Sequence, residues 1–295
     1  MKGSTAMRIA GVDIGGTSIK IGIFEDNRLL CKNSTQTPFA DPAGVCEEIA
    51  RMLHGQDVSF VGVGTAGSVS LIDGTVFASN LGWEGVHLRE MLAARRSLPV
   101  YVDNDAQAAL MAEWADGVCQ GAECALYLTL GTGIGGAMIV GGKPYRGRNN
   151  LGAEFGHMIT HANGPKCGCG RRGCFEYYAS ATALRRMAGG RSTRDIISCA
   201  KSGDPQMKRV FDQYIRELCI GLNNLIMAYD PEAIVLGGGV SGAGTFLSDA
   251  CQRELARIFA QTTDPLLCTI RIAKHKNDAR IIGAAQLAKS HFSEQ

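Results

Sequence analysis

Three cysteines crowd into eight residues of this chain, Cys167-Gly168-Cys169-x-x-x-x-Cys174, and His157 lies ten residues before the first of them. Three thiolates and one imidazole make a complete tetrahedral set for a structural zinc ion. Gly168, Gly170 and Gly173 would let the chain wrap so small a centre. A reduced surface loop or a disulfide is the plainer reading, but Cys-x-Cys is a cramped pairing for a disulfide. His161 is close enough in sequence to compete with His157 for the fourth position.

A second chemistry is written in glycines. Asp13-x-Gly15-Gly16-Thr17-x-x-Lys20 puts an acid at the end of an apolar run and two glycines in a turn. Glycines let backbone amides converge on an anion, and Thr17 can add a hydroxyl donor. Asp13 could hold magnesium through water, since that ion favours carboxylate and phosphate oxygens. Alone, such a turn is an ordinary tight hairpin. Two more, Gly131-Thr132-Gly133-x-Gly135-Gly136 and Gly237-Gly238-Gly239, shift the reading toward a bound nucleotide. None has the GxxxxGK[ST] form of a P-loop, and the acidic residue that follows a Rossmann turn is not evident.

Asn104-Asp105 follows a short apolar run and opens an alanine-rich segment. A carboxylate at a helix N-terminus is kept ionised by the dipole, which suits a general base. A plain helix cap would use the same residue. Glu154, His157 and Glu176 add groups near the cysteine loop. Sugar hydroxyls each want a donor and an acceptor, which such side chains supply, although a lone Glu is more often solvated surface. Gly64-Thr65-Ala66-Gly67 and Asn80-Leu81-Gly82-Trp83 are weaker candidates for the same lining.

The elements that must carry these residues alternate. Runs at Arg8 to Asp13, Ser18 to Phe24 and from Arg28 read as strands, as do Phe60 to Val63 and Val100 to Val102. Helices are expected near Pro42 to Leu53 and Ala106 to Ala115, the latter ended by Gly117. The strand, glycine turn, strand device returns at Leu126 to Val140, with Gly141-Gly142 closing a further hairpin. The repeat suggests two similar lobes. Asp204-Pro205 begins a helix whose apolar stripe is Phe211, Ile215, Leu218, Leu222, Leu225 and Tyr229, and Asp230-Pro231 ends it. Ala233 to Leu236 is then a strand, so the pattern is α/β.

The length, 295 residues, suggests two domains, divided at Asp116-Gly117. A net charge of +2 gives no footprint of a nucleic-acid binder. No apolar run approaches the ~20 residues of a membrane helix. Met1 to Met7 lacks the apolar segment of a signal peptide, and the first six residues read as a leftover ahead of a natural start at Met7. The other eight cysteines are scattered and read as small buried residues in a reducing, cytoplasmic compartment.

Taken together, the motifs resemble those of the ROK sugar kinases (repressor, open reading frame, kinase). The matching stretches are VDIGGTSIK, GTAG, NLGW, VDNDAQAA, LTLGTGIGGAM, GAEFGHM, CGCGRRGCFE, IVLGGGV and KNDARIIGAAQLA. They span nearly the whole chain, and the cysteine block is the most specific of them. The resemblance implies a two-lobed, actin-like (ribonuclease H-like) α/β fold with ATP and sugar in a cleft between the lobes. It divides the chain into a smaller lobe, 1–116, joined by a C-terminal helix at about 283–295, and a larger lobe, 117–282, with the zinc loop.

By motif match, Asp105 would be the catalytic base. Gly67, Asn80, Asn104, Asp105, Glu154, His157 and Glu176 would contact the sugar. Asp13, Gly15, Gly16, Thr17, Lys20, Gly131, Thr132 and Gly133 would face the phosphates of ATP and its magnesium, with Gly238 and Gly239 toward the nucleoside. His157, Cys167, Cys169 and Cys174 would bind zinc. The family suggests a homodimer or homotetramer. Two stretches depart from its pattern: Gly135-Gly136-Ala137 is a shorter glycine run, and Arg148-Asn149-Asn150-Leu151 replaces smaller residues. NLGW followed by GVHLREML favours glucose as substrate. N-acetylmannosamine, another N-acetylhexosamine or fructose is the alternative. A DNA-binding repressor of the same family would carry an added helix-turn-helix, for which the twelve residues before Asp13 leave no room.

Overall fold

The computed structural model describes residues 7–293. The reading of the first six residues and the last two positions of the expected C-terminal helix lie outside them. The chain divides into two compact units. The first holds the residues up to Gly117, then Arg146–Gly152 and the residues from Asn277 on; the second is Val118–Tyr145 and Ala153–Lys276.

In the first unit, β1 (Arg8–Ile14), β2 (Ser18–Glu25) and β3 (Arg28–Gln36) form an antiparallel meander. Helix α1 (Pro42–Met52) starts on Asp41, whose carboxylate accepts from Gly44 N–H, with proline in its first turn. Strand β4 (Phe60–Thr65) joins β1 in parallel. A small antiparallel sheet follows, made of β5 (Ser68–Val69), β6 (Thr75–Ala78) and β7 (Trp83–His87). Then come α2 (Leu88–Arg96), β8 (Val100–Asn104), parallel to β4, and α3 (Asp105–Asp116).

In the second unit, β9 (Cys124–Leu130), β10 (Ile134–Val140) and β11 (Lys143–Tyr145) repeat the meander. The short helices α4 (Phe175–Ala179), α5 (Ala181–Met187) and α6 (Thr193–Lys201) lead into α7 (Pro205–Tyr229). Strand β12 (Ala233–Gly237), α8 (Thr245–Phe259) and β13 (Thr269–Ile272) follow, with β12 parallel to both β9 and β13. The C-terminal helix α9 (Ala279–Ser293) returns to the first unit, starting earlier than expected.

The expected doubling is thus present: the sheet orders are β3-β2-β1-β4-β8 and β11-β10-β9-β12-β13, each a meander extended by two parallel strands. Each unit has its own core. Val12, Ile14, Ile49 and Val63 lie in the first, and Leu126, Phe175, Phe211 and Leu222 in the second. The stripe on α7 holds except at its end. Tyr229 is exposed because it sits in the last turn, where it still leans on Phe155 at 5.9 Å between ring centres. Of the scattered cysteines, Cys46, Cys119, Cys219, Cys251 and Cys268 are buried, Cys124 and Cys199 partly so, and all are free thiols. Cys31 corrects that expectation: it is exposed, because β3 is a sheet edge exposed along nearly its whole length.

Two close approaches fix α9. A Cβ on Gly283 would overlap the Ala108 carbonyl oxygen of α3, and one on Gly11 would overlap the Ile281 carbonyl oxygen. Glycine is therefore required for this helix to lie against α3 and β1 at backbone distance. Among the described residues, no helix is long and apolar enough to cross a membrane.

Candidate active site and metal centre

The first glycine turn joins β1 to β2. Gly15 N–H donates to Ser18 O at 3.1 Å, and the Thr37 hydroxyl donates to Gly15 O at 2.7 Å, so the turn is braced from both sides. Gly16 and Thr17 are exposed. Asn80, on the single helical turn Ser79–Leu81, lies beside Gly16. Asp13 is buried at the end of β1, 4.0 Å from Lys20. Its Oδ1 has no hydrogen bond. Burial pushes the Asp13 carboxyl up from its usual range, against the opposing pull of Arg280; Asp105 adds to the rise, and Lys20 opposes it.

The cap of α3 is Asn104, not Asp105. The Asn104 Oδ1 accepts from Ala106 N–H at 2.8 Å and Gln107 N–H at 3.3 Å, and its Nδ2 donates to Gly67 O at 2.9 Å. Gly67 needs its glycine: φ is +94°, and a Cβ would overlap the Phe77 carbonyl oxygen. Asp105 is therefore released from capping. It is the first residue of α3, where the unpaired N–H groups favour an anion. Its carboxylate is partly exposed and pairs with Arg280.

Asp103, one residue before the cap, is held by a group the sequence reading did not single out. Arg146 Nε lies 3.0 Å from its Oδ2, and Nη2 reaches the same oxygen. Tyr101 O–H donates to Oδ2 at 3.2 Å, while Oδ1 accepts from Asn104 N–H at 2.8 Å. Burial works to lower the Arg146 guanidinium, but the Asp103 charge, its hydrogen bond and Tyr101 together outweigh it and the net shift is upward. The same burial raises the Tyr101 phenol, helped by Asp103. Gly152 N–H closes the 146–152 loop onto Arg146 O at 2.8 Å.

In the second unit, the turn between β9 and β10 is anchored through its carbonyls. Gly131 O accepts from Ala181 N–H and Thr132 O from the Thr182 hydroxyl, each at 2.8 Å. Gly133 lies against the Glu176 carboxylate, whose Oε2 also accepts from Ile134 N–H at 3.3 Å. The third glycine run ends β12; Gly238 has φ of +80° and packs on the end of β9, with Gly239 next to it opening a single helical turn. Glu154 is exposed, at the start of the turn Phe155–His157.

The metal ligands expected from sequence do converge. The ligand atoms of His157, Cys167, Cys169 and Cys174 all lie within 4.8 Å of one another. Cys169 Sγ and Cys174 Sγ are 3.6 Å apart, close to the ~3.8 Å edge of a tetrahedron of thiolates bound to zinc. His157 Nδ1 faces Cys167 Sγ at 3.9 Å. His161 is engaged elsewhere, 3.4 Å from Glu217 and stacked on Tyr178. Burial and a hydrogen bond to Glu176 push the Cys167 thiol up to about 12. Burial also acts upward on Cys169, but the backbone and side chain of Arg171, with its two neighbouring cysteines, bring it down to about 7. Glu176 Oε1 sits 3.0 Å from Cys167 Sγ, so one carboxylate touches both the glycine turn and the cysteine loop.

Arg280 and the Arg146–Asp103 pair are the residues sequence reasoning missed. The only available signal for Arg280 was its place in KNDARIIGAAQLA.

Residues 9–291 match the model of the ROK family, and the chain belongs to that family. It is 34% identical to a glucokinase of Streptomyces coelicolor over 95% of this chain and 96% of that one. An N-acetyl-D-glucosamine kinase of Salmonella paratyphi B is 30% identical over 94% and 98%. Among solved structures, the ROK family glucokinase of Streptomyces griseus, in complex with glucose and AMPPNP, superposes with a TM-score of 0.83 at 35% identity, covering 96% of this chain and 99% of that one.

Proposed function

We propose that this chain is an ATP-dependent kinase that phosphorylates the 6-hydroxyl of glucose. The observation that carries the reading is a pair of carboxylates in different states within one unit. Asp105 is partly exposed and free of capping, while Asp13 is buried with one oxygen lacking a hydrogen bond. Phosphoryl transfer asks for both kinds: one to take a proton, one to face cationic charge.

In this reading the sugar's 6-oxygen attacks the γ-phosphorus of ATP. Its proton passes to Asp105, the bond from γ-phosphorus to the bridging oxygen breaks, and ADP leaves. Asp13 would hold magnesium through water, its Oδ1, which accepts no hydrogen bond, being suited to that; bound there, the ion would neutralise charge on the phosphates. Gly15, Gly16 and Thr17, with Lys20, would meet phosphate, and Gly131, Thr132 and Gly133 are further phosphate-binding candidates. Gly238 and Gly239 would lie along the nucleoside. Asn80, Gly67, Asn104, Glu154, His157 and Glu176 would bind sugar hydroxyls. Asn104 does so only with what its cap and its bond to Gly67 leave over.

His157, Cys167, Cys169 and Cys174 would hold zinc, a structural ion that orders the loop carrying Glu176. With Nδ1 turned to the thiols, His157 keeps Nε2 for a hydroxyl. Glucose as substrate is supported by the Streptomyces relatives, whose names and bound ligand are glucokinase and glucose. An N-acetylhexosamine is the second reading, favoured by the Salmonella relative.

The deciding experiment is ADP release with magnesium and ATP over glucose, N-acetylglucosamine, N-acetylmannosamine and fructose, with the product located by phosphorus NMR. Glucose should give the highest kcat/KM and a 6-phosphate. Efficient turnover of an N-acetylhexosamine with glucose nearly inert would overturn the glucose assignment alone. No phosphorylation of any sugar would overturn the kinase and leave a sugar-sensing role.

A further inference from the structure

Helix α9 opens with a charge of the wrong sign. Arg280 is its second residue, in the first turn, where the helix dipole favours anions and opposes a cation. Two carboxylates offset that opposition. Arg280 Nη2 pairs with Asp105 Oδ2 at 2.9 Å, and Nη1 faces Asp13 Oδ1 at 3.6 Å. The three side chains form a graded set, 4% exposed at Asp13, 18% at Asp105 and 36% at Arg280. They arrive from three elements: the end of β1, the start of α3 and the start of α9. The glycine contacts at Gly283 and Gly11 hold α9 at backbone distance from α3 and β1, so the Arg280 backbone cannot back away from either acid.

We propose that Arg280 is a positioning residue for phosphoryl transfer, clamping Asp105 by Oδ2 so that Oδ1 is the oxygen that accepts the hydroxyl proton. The proposal rests on the reading of Asp105 as the base. A carboxylate on a short side chain still turns about two bonds, and a base must present one oxygen to one hydroxyl. A guanidinium suits the task because it carries several donors in a rigid fork and stays protonated, so it neither gives up nor takes the proton in transit. Its second arm toward Asp13 also offsets the repulsion between two carboxylates while an anionic phosphoryl group is near. A lysine would supply the charge without the fork.

The test is a kinetic cycle on the full-length protein with magnesium, ATP and glucose, using Arg280→Met, Arg280→Lys, Asp105→Asn and the double variant Arg280→Met/Asp105→Asn. Arg280→Met should lower kcat about a hundredfold, the scale of a misplaced catalytic group, with KM for glucose and ATP changed less than about threefold. Arg280→Lys should recover about tenfold of that loss. In the Asp105→Asn background, Arg280→Met should cost no more than about twofold, because a clamp has nothing left to position.

A kcat for Arg280→Met within about threefold of the parent would overturn the proposal. So would a loss as large without Asp105 as with it, which would assign Arg280 to the phosphates or to the fold. If Arg280→Met fails to fold, Arg280→Lys carries the same test: kcat reduced at unchanged KM, and non-additive with Asp105→Asn. Near-normal turnover in Asp105→Asn alone would sink the base reading itself, a result distinct from either failure of the clamp.

Discussion

The two sheets are built alike and armed differently. In the first, Asp13 stands on β1 opposite Lys20, with Gly64 beside it on the parallel strand. In the second, the matching place on β9 is Thr129, opposite Gly135, with Gly237 beside it. One architecture thus presents a carboxylate before one glycine turn and a hydroxyl before the other. The Thr129 hydroxyl accepts from Gly135 N–H at 3.0 Å, which closes its own hairpin. Asp13 instead keeps an oxygen without a hydrogen bond, facing Arg280 at 3.6 Å, at a cost in desolvation. A group that stays buried and unsatisfied is expected where function needs it. Duplication of the backbone therefore does not duplicate the chemistry; the first unit carries Asp13 and Asp105, the second the cluster of His157, Cys167, Cys169 and Cys174.

The largest effect should come from Asp105, the proposed base, at the start of α3 in the first unit. Asp105→Asn should lower kcat about a hundredfold to ten-thousandfold while glucose binding, read by calorimetry, stays near its parent value. A variant with normal turnover would remove the base and, with it, the functional half of the contrast between the units.

Next is the ion pair that steadies the residues before that acid. Arg146→Met leaves the Asp103 carboxylate buried without its partner, and breaking such a pair costs about 3–5 kcal/mol of stability in denaturant titration. The double variant Asp103→Leu/Arg146→Met should regain most of that stability, since two apolar groups replace two buried charges. Its kcat should stay low, because Asn104 N–H has lost the acceptor that fixes the turn into α3. Full recovery of both quantities would reduce the pair to a purely structural part.

The comparison also shows what could be read from the linear chain. The cysteine loop was legible because its ligands lie between His157 and Cys174 and its glycines announce a tight wrap. The glycine turns were legible because hairpins are local, and their repetition gave the doubled plan. The small sheet β5 to β7 was not, since a strand of two residues, Ser68–Val69, carries no period. Asp105 was placed at a helix start, but the cap fell to its neighbour Asn104; both residue types cap well, and only the geometry separates them. Arg146 and Arg280 were invisible for a different reason. Each meets its carboxylate only after distant segments pack, and an isolated arginine in sequence reads as solvated surface.

The third effect belongs to the second unit alone. Cys169→Ser should abolish stoichiometric metal by elemental analysis, and the loss should show as faster hydrogen exchange over residues 157–176 with the first sheet unchanged. Metal retained at full occupancy, or exchange rising equally in both sheets, would contradict a local structural ion.

The smallest effect, and the one that tests the contrast most directly, is on Asp13 itself. Its carboxyl is raised in the folded state, chiefly by burial, so the native protein binds this proton more tightly than the unfolded chain does. Stability contributed by the protonated form is therefore present below the unfolded value and lost as pH climbs through the folded one. Above the folded value the charged carboxylate is a net burden on the sugar-free, nucleotide-free protein. Asp13→Asn should raise the melting temperature there by about a few degrees and flatten its fall as pH rises above the usual carboxylate range, while lowering kcat. Thr129→Asp, the reverse exchange, should lower the melting temperature, because a carboxylate in place of the hydroxyl brings charge to a half-buried strand end with no arginine or lysine opposite in the register. If Asp13→Asn instead melts lower at neutral pH and keeps its kcat, the carboxylate is a structural partner of Arg280 and Lys20, and the asymmetry between the two turns has no functional meaning.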